Sequence, residues 1–83
     1  MPYIKVSERQ QYLHYLSSIE TILTKGDLEY CIFVLMKKYM KDKKMTYTEL
    51  HNCVYAAMHC ADEFRRRYLD VREDEALRLN GDI

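Results

Sequence analysis

The stretch "TYTELHNCVYAAMHCADEFRRRYLDVREDEALRLNG", residues 46–81, decides the fold of this chain. Thr46 and Glu49 have the spacing of a capping box, which marks the start of a helix. No proline or glycine interrupts residues 47–79, and the Asn-Gly pair that follows provides the stop. The stretch therefore predicts a helix over 47–79, roughly 50 Å long at ~1.5 Å per residue.

Apolar residues recur along this helix in alternating steps of four and three, which is the pattern of a heptad seam. The seam is Leu50, Val54, Ala57, Ala61, Phe64, Tyr68 and Val71. The other helices of so small a chain are about half as long and cannot cover it. The part beyond Phe64 is therefore expected either to break and fold back or to project and pack on another subunit. In the second case the seam is the oligomer interface.

A first helix is predicted over 8–24. Ser7 and Gln10 resemble a capping box, and apolar residues then recur at three- and four-residue steps. Gly26 is placed for a left-handed cap at the carboxyl end.

A second helix is predicted over 28–41, with Asp27 as its N-cap. Its centre, residues 30–36, is apolar on almost all sides, and a buried strand is the rival prediction because several of these residue types favour strands. The capped entry favours the helix. The expected architecture is a small all-α, three-helix domain over residues 1–83.

Composition excludes several classes of protein. Residues 1–44 carry eight basic and five acidic side chains, net +3, and residues 45–83 carry five and eight, net −3. This balance is unlike that of a general nucleic-acid coat. No signal peptide or membrane-length apolar run is present, and three cysteines without framework spacing indicate reduced thiols and a cytoplasmic location. With 48% apolar residues in a chain this small, self-association into a homo-oligomer is expected.

The residues that could carry chemistry do not form a recognisable catalytic or metal site. Two glycines cannot build a phosphate-binding loop, and no nucleophile elbow is present. His51, Cys53, His59 and Cys60 share one helix, from which four ligands cannot converge on zinc. We expect no enzymatic activity, no metal and no cofactor.

Charged residues near the carboxyl end suggest a binding surface. Most arginines follow an acid by four residues, in the pairs Asp62–Arg66, Glu63–Arg67 and Asp74–Arg78, which stabilise an exposed helix. A surplus of guanidinium remains at residues 65–67, and arginine forks suit phosphate or carboxylate groups. A helix stop does not require an Asp after the glycine. The candidate ligand-binding residues are Arg65, Arg66, Arg67, Asn80 and Asp82.

A second basic group, Lys37–Lys44, surrounds Tyr39 and Met40. Such a patch suits phosphate or nucleic acid. Cations in the last turn of a helix are also favoured by its dipole, and this plainer interpretation is preferred. Nucleic-acid binding is therefore a weaker alternative.

The chain resembles a family of short proteins of unknown function from phages, prophages and bacteria. The resemblance is carried by "PYIK" at the start, "GDLEY" at 26–30, the EF-x-RR pattern at 63–67 and "NGD" at 80–82. Relatives have a tyrosine where this chain has Arg65, another where it has Arg72, and a proline between them that is absent here.

The resemblance implies a helical fold and a phage or prophage origin, with action in the host cytoplasm. By analogy, small phage proteins are often antagonists of host defence that bind a host protein or sequester a nucleotide. The first functional hypothesis is thus a non-enzymatic, self-associating protein that binds an anionic ligand or a host protein. The alternative is a purely structural or regulatory dimerisation module.

Overall fold

The structure is a computed structural model that describes residues 4–83, so Pro2 and Tyr3 of the "PYIK" motif lie outside it. The described residues form three helices and no strand, which confirms the all-α prediction. Helix α1 is Val6–Ser17 and helix α2 is Lys25–Met40. Helix α3 runs without a break through Tyr47–Phe64, a π-helical turn at Arg65–Leu69, and Asp70–Asn80.

Helix α1 begins earlier and ends seven residues sooner than predicted. Lys5 occupies the N-cap position, so Ser7 lies inside the helix and the predicted capping box is wrong. At the other end the Ser17 and Ser18 hydroxyls donate to the carbonyls of His14 and Tyr15, at 3.2 and 2.6 Å. Serine hydroxyls that bond to the preceding turn compete with helix continuation, and the chain leaves the helix there.

The start of α2 also differs from the prediction. The Asp27 amide donates to Thr24 Oγ1 at 3.0 Å, and the Thr24 amide donates to Asp27 Oδ2 at 3.2 Å. This is a reciprocal capping box, in which Asp27 is the third helical residue and Thr24 is the cap. Gly26 therefore lies in the first turn of α2 and does not terminate α1.

Both ends of α3 are as predicted. Thr46 Oγ1 accepts a hydrogen bond from the Glu49 amide at 3.3 Å. Gly81 has φ +84°, a conformation that favours glycine, and its amide donates to the Leu77 carbonyl at 2.8 Å. The two ends enclose 34 helical residues. Of the two alternatives for the distal half, folding back is thus not what occurs.

The π-helical turn is the one irregularity of α3. The Asp70 amide donates to the Arg65 carbonyl, five residues back instead of four. A π turn holds one residue more than an α turn, so every residue after it is rotated back by about 100° relative to an ideal α-helix. The turn therefore changes which side chains share a face beyond Leu69.

The described residues divide into two compact units, the first ending at Tyr30 and the second covering Cys31–Ile83. No described side chain of the first unit is buried. In the second unit α2 packs against the start of α3, where Met40 and Cys53 are buried and the Cys53 thiol donates to the Met36 carbonyl at 3.6 Å. This small core fixes the groove described below.

Candidate functional site

Glu63 organises the predicted arginine segment, Arg65–Arg67. Arg66 binds its carboxylate with both Nη2 and Nε, at 2.6 and 3.3 Å, and Arg67 Nε donates to Oε1 at 2.7 Å. Both arginines belong to the π-helical turn, and Glu63 lies in the last turn of the α-helical part before it. The hydrogen bonds from Arg66 and then Arg67 lower the pKa of Glu63 to about 2. The carboxylate is thus ionised at neutral pH and neutralises part of the predicted cationic surplus.

The helix-stabilising pairs differ in part from those predicted. Glu63 pairs with Arg67 as expected, but it also takes Arg66, which had been assigned to Asp62. Arg78 binds Glu75 at 2.6 Å and not Asp74. Residues three apart on a helix are neighbours as much as residues four apart, so sequence spacing alone does not choose between them.

Two of the candidate ligand-binding residues, Asn80 and Asp82, lie far from the arginine segment within a single copy of the chain. Arg65 makes no ion pair among residues 4–83. Asn80 is the last helical residue, and Asp82 lies exposed after the cap. Thirteen residues separate Asn80 from Arg67, or about 20 Å along the helix at ~1.5 Å per residue. One small ligand therefore cannot touch both groups of a single copy.

The predicted heptad seam is largely exposed in the structure. Phe64 retains 64% of its accessible surface, and only Ala57 among the seven residues is half-buried. Leu50 and Val54 border the contact with α2, while Ala61, Tyr68 and Val71 are exposed. A long apolar face without cover marks an interaction surface.

The π-helical turn changes the membership of this face beyond Phe64. Rotation by about 100° turns Val71 away from the line through the earlier seam residues and brings Leu69 and Ala76 onto it. Arg72 takes the place beside this line that Val71 held in the uniform helix. Leu79 lies at its edge. We call the resulting row the α3 stripe; it comprises Leu50, Val54, Ala57, Ala61, Phe64, Leu69, Ala76 and Leu79. Sequence counting missed its last three members because it assumed a uniform helix.

A groove lies between α2 and the start of α3, within the second unit. It has a volume of about 370 Å³ and an apolar lining of Phe33, Met36, Met40, Met45, Leu50, Cys53 and Val54. Lys37, Lys41 and Lys43 stand around it. Lys43 Nζ donates to the Tyr39 carbonyl at 2.7 Å and lies 3.8 Å from the centre of the Tyr39 ring, whereas Lys37 and Lys41 make no ion pair among the described residues. We call this feature the lysine-rimmed groove.

A column of aromatic rings on α3 was also missed by sequence reasoning. Tyr47, His51, Tyr55 and His59 lie four residues apart, with ring centroids 5.2, 4.0 and 5.8 Å from one neighbour to the next. The recurrence of ring side chains at every fourth position was the available signal. Within residues 4–83, no three His, Cys, Asp or Glu side chains are grouped so that they could hold a metal ion.

Comparison with known proteins gives a family but no activity. A family model described as "Domain of unknown function (DUF6899)" matches residues 1–83. No curated protein and no solved structure matches the chain. None of the helices in residues 4–83 combines the length and the apolar character that crossing a membrane requires.

Proposed function

We propose the following function for this chain, which belongs to the family described as Domain of unknown function (DUF6899). It is a non-enzymatic protein that self-associates through the α3 stripe, and the assembled form is the one that binds its target. The observation that carries this proposal is the exposure of an apolar row along a 34-residue helix, with Arg72 beside it between Leu69 and Ala76.

The energetics support self-association through this row. Full burial of one large apolar side chain is favourable by about 1.5–3 kcal/mol. Two copies together present ten large side chains of the stripe, each already partly shielded within its own chain. The summed free energy of burying these side chains is comparable with the cost of association, about 4–15 kcal/mol. A charge introduced at the centre of the row is therefore expected to abolish association.

The test is Phe64→Glu, with Val71→Glu as the matched control. Both side chains are exposed apolar groups of α3, at 64% and 59%, but only Phe64 lies on the stripe. We expect light scattering to show monomer or unfolded chain for Phe64→Glu, and an unchanged oligomer for Val71→Glu; circular dichroism reports folding. A Phe64→Glu protein that remains both helical and oligomeric would remove the stripe as the interface.

A second candidate function, favoured by Arg65, is the binding of an anionic, nucleotide-like ligand at the arginine segment. The segment has three guanidinium groups and one neighbouring carboxylate that binds two of them, Glu63. The third, Arg65, makes no ion pair among the described residues. Arginine forks suit phosphate oxygens. Asn80 and Asp82, about 20 Å away along the helix, are not part of this contact.

Thermal shift measurements with cyclic and linear nucleotides test this candidate. Stabilisation that is lost in Arg66→Ala/Arg67→Ala and kept in Arg78→Ala is the expected result. An absence of stabilisation by every nucleotide leaves the purely structural or regulatory dimerisation module.

The resemblance to phage proteins supports a more specific setting for either function. In it the protein is phage-encoded, works in the cytoplasm of the host cell, and antagonises host defence by binding a host protein or a nucleotide signal. Expression in a bacterium with a nucleotide-signalling defence system tests this. Restored plaque formation by an otherwise restricted phage supports the role, and unchanged restriction by an abundant, folded protein argues against it.

A further inference from the structure

We propose that two copies pair antiparallel along α3, so that the acidic distal helix of each copy lies in the lysine-rimmed groove of the other. This inference rests on the proposed self-association, and it adds the orientation of the partner and the surface that receives it. Its basis is the complementarity of two features at opposite ends of the second unit.

The first feature is the charge of the groove and of the distal helix. Lys37, in the last turn of α2, and Lys41, just after the helix, line the groove and make no ion pair among the described residues. Asp70 and Glu73 lie along one side of the distal part of the α3 stripe and also make no ion pair within residues 4–83, and they outnumber Arg72 on its other side. Each site thus offers the charges that the other lacks.

The second feature is apolar. The groove floor is formed by methionines and other apolar side chains, and methionine adapts its shape to irregular partners. Leu69 and Ala76 of the distal helix are exposed and follow one line after the π-helical turn, and the exposed Leu79 lies at the edge of that line. They supply the apolar ridge that such a floor can cover.

A chain cannot place its own distal helix in its own groove. Twenty residues of continuous helix separate Cys53, in the groove, from Glu73, which is about 30 Å at ~1.5 Å per residue. The occupant is therefore a second copy of the chain. Antiparallel overlap of two α3 helices centred near Phe64 places Ala76 of the second copy level with Asn52 and Glu73 level with Tyr55, beside the groove.

A parallel pair of α3 helices would bring like charges together. It would place the acidic distal helices side by side and the lysine groups side by side, and such contacts cost several kcal/mol. The uneven distribution of charge along the chain, net +3 over residues 1–44 and −3 over 45–83, favours the antiparallel arrangement for the same reason.

A charge exchange tests the proposal. One variant carries Lys37→Glu and Lys41→Glu, and another carries Asp70→Lys and Glu73→Lys. Each alone is expected to dimerise at least about tenfold more weakly than the unaltered chain, because both of its contacts become repulsive. An equimolar mixture restores every complementary contact, so native mass spectrometry should show a heterodimer with an affinity close to that of the unaltered homodimer.

The controls use neighbouring charges that lie off the two surfaces. Lys38→Glu with Lys44→Glu, and Asp62→Lys with Asp74→Lys on the side of α3 away from the stripe, make the same change in net charge and should leave dimerisation within about threefold. If the two groove and helix variants dimerise as the unaltered chain does, or if their mixture forms no heterodimer, the docking is wrong while self-association stands. An unaltered chain that is always monomeric overturns the proposed function itself.

Discussion

Glu63 is the side chain on which the electrostatics of the arginine segment depends. Its carboxylate holds Arg66 and Arg67, the side chain is only 17% exposed, and its pKa is lowered to about 2. A carboxylate whose pKa is lower in the folded than in the unfolded chain stabilises the fold above the unfolded value, here near 4.5. That contribution is lost as the pH falls from about 4.5 towards 2.

Replacing Glu63 therefore alters the acid sensitivity of the protein. For Glu63→Gln we expect a lower midpoint of thermal unfolding at pH 6, and a smaller further decrease between pH 4.5 and 3 than in the unaltered chain. Circular dichroism at 222 nm measures both. Asp62→Asn is the control, since Asp62 makes no ion pair within residues 4–83 and should leave the pH dependence unchanged. Parallel pH curves for Glu63→Gln and the unaltered chain would contradict the assignment.

Helix caps show how far the start of a helix can be predicted from single residues of the sequence. Thr46 was predicted as the cap of α3 from its spacing to Glu49, and the structure confirms it; the neighbouring Thr48 has His51 in place of an acid three residues on. Thr24 and Asp27 are both good caps, and the sequence alone favoured the wrong one; the structure uses them together as a capping box. Arg66 is similar, since acids three and four residues away were equally available.

Among the helices, α3 is the one whose ends the sequence predicts best, but its π-helical turn was not predicted. Both ends of α3 were predicted from its capping residues, the terminal glycine and the unbroken helical periodicity between them. The π-helical turn at Arg65–Leu69 left no such signal, because counting heptads presupposes a constant number of residues per turn. The same assumption placed Val71 on the exposed row and omitted Leu69 and Ala76.

The π-helical turn accommodates one extra residue, which leads to a prediction about its removal. Deletion of Arg65 should convert the turn to regular α-helix and leave Leu69, Ala76 and Leu79 in line with Phe64. We expect undiminished helix content by circular dichroism and retained self-association by light scattering.

Insertion is the matched opposite of that deletion. One alanine added after Arg65 rotates the distal part of the stripe by a further ~100° and should weaken self-association. Loss of association in the deletion variant, with the helix intact, would show that the turn and not the stripe governs assembly.

At the scale of the whole molecule, the balance between apolar content and burial is the central fact. The chain is 48% apolar, yet Met40 and Cys53 are the only buried hydrophobic side chains among the described residues. The length and composition of the sequence predicted that the chain has more apolar side chains than it can bury by itself. It could not locate the lysine-rimmed groove, since the groove depends on how α2 packs against α3 and no local pattern records that contact.

Native mass spectrometry of the purified, unaltered protein shows whether the chain self-associates through α3. Because one chain has a mass of 10.0 kDa, we expect a predominant species of about 20 kDa, with any co-purifying anionic ligand appearing as added mass. The same measurement on Phe64→Glu should give 10.0 kDa. A folded, unaltered protein found at 10.0 kDa at every concentration would show that α3 does not mediate self-association.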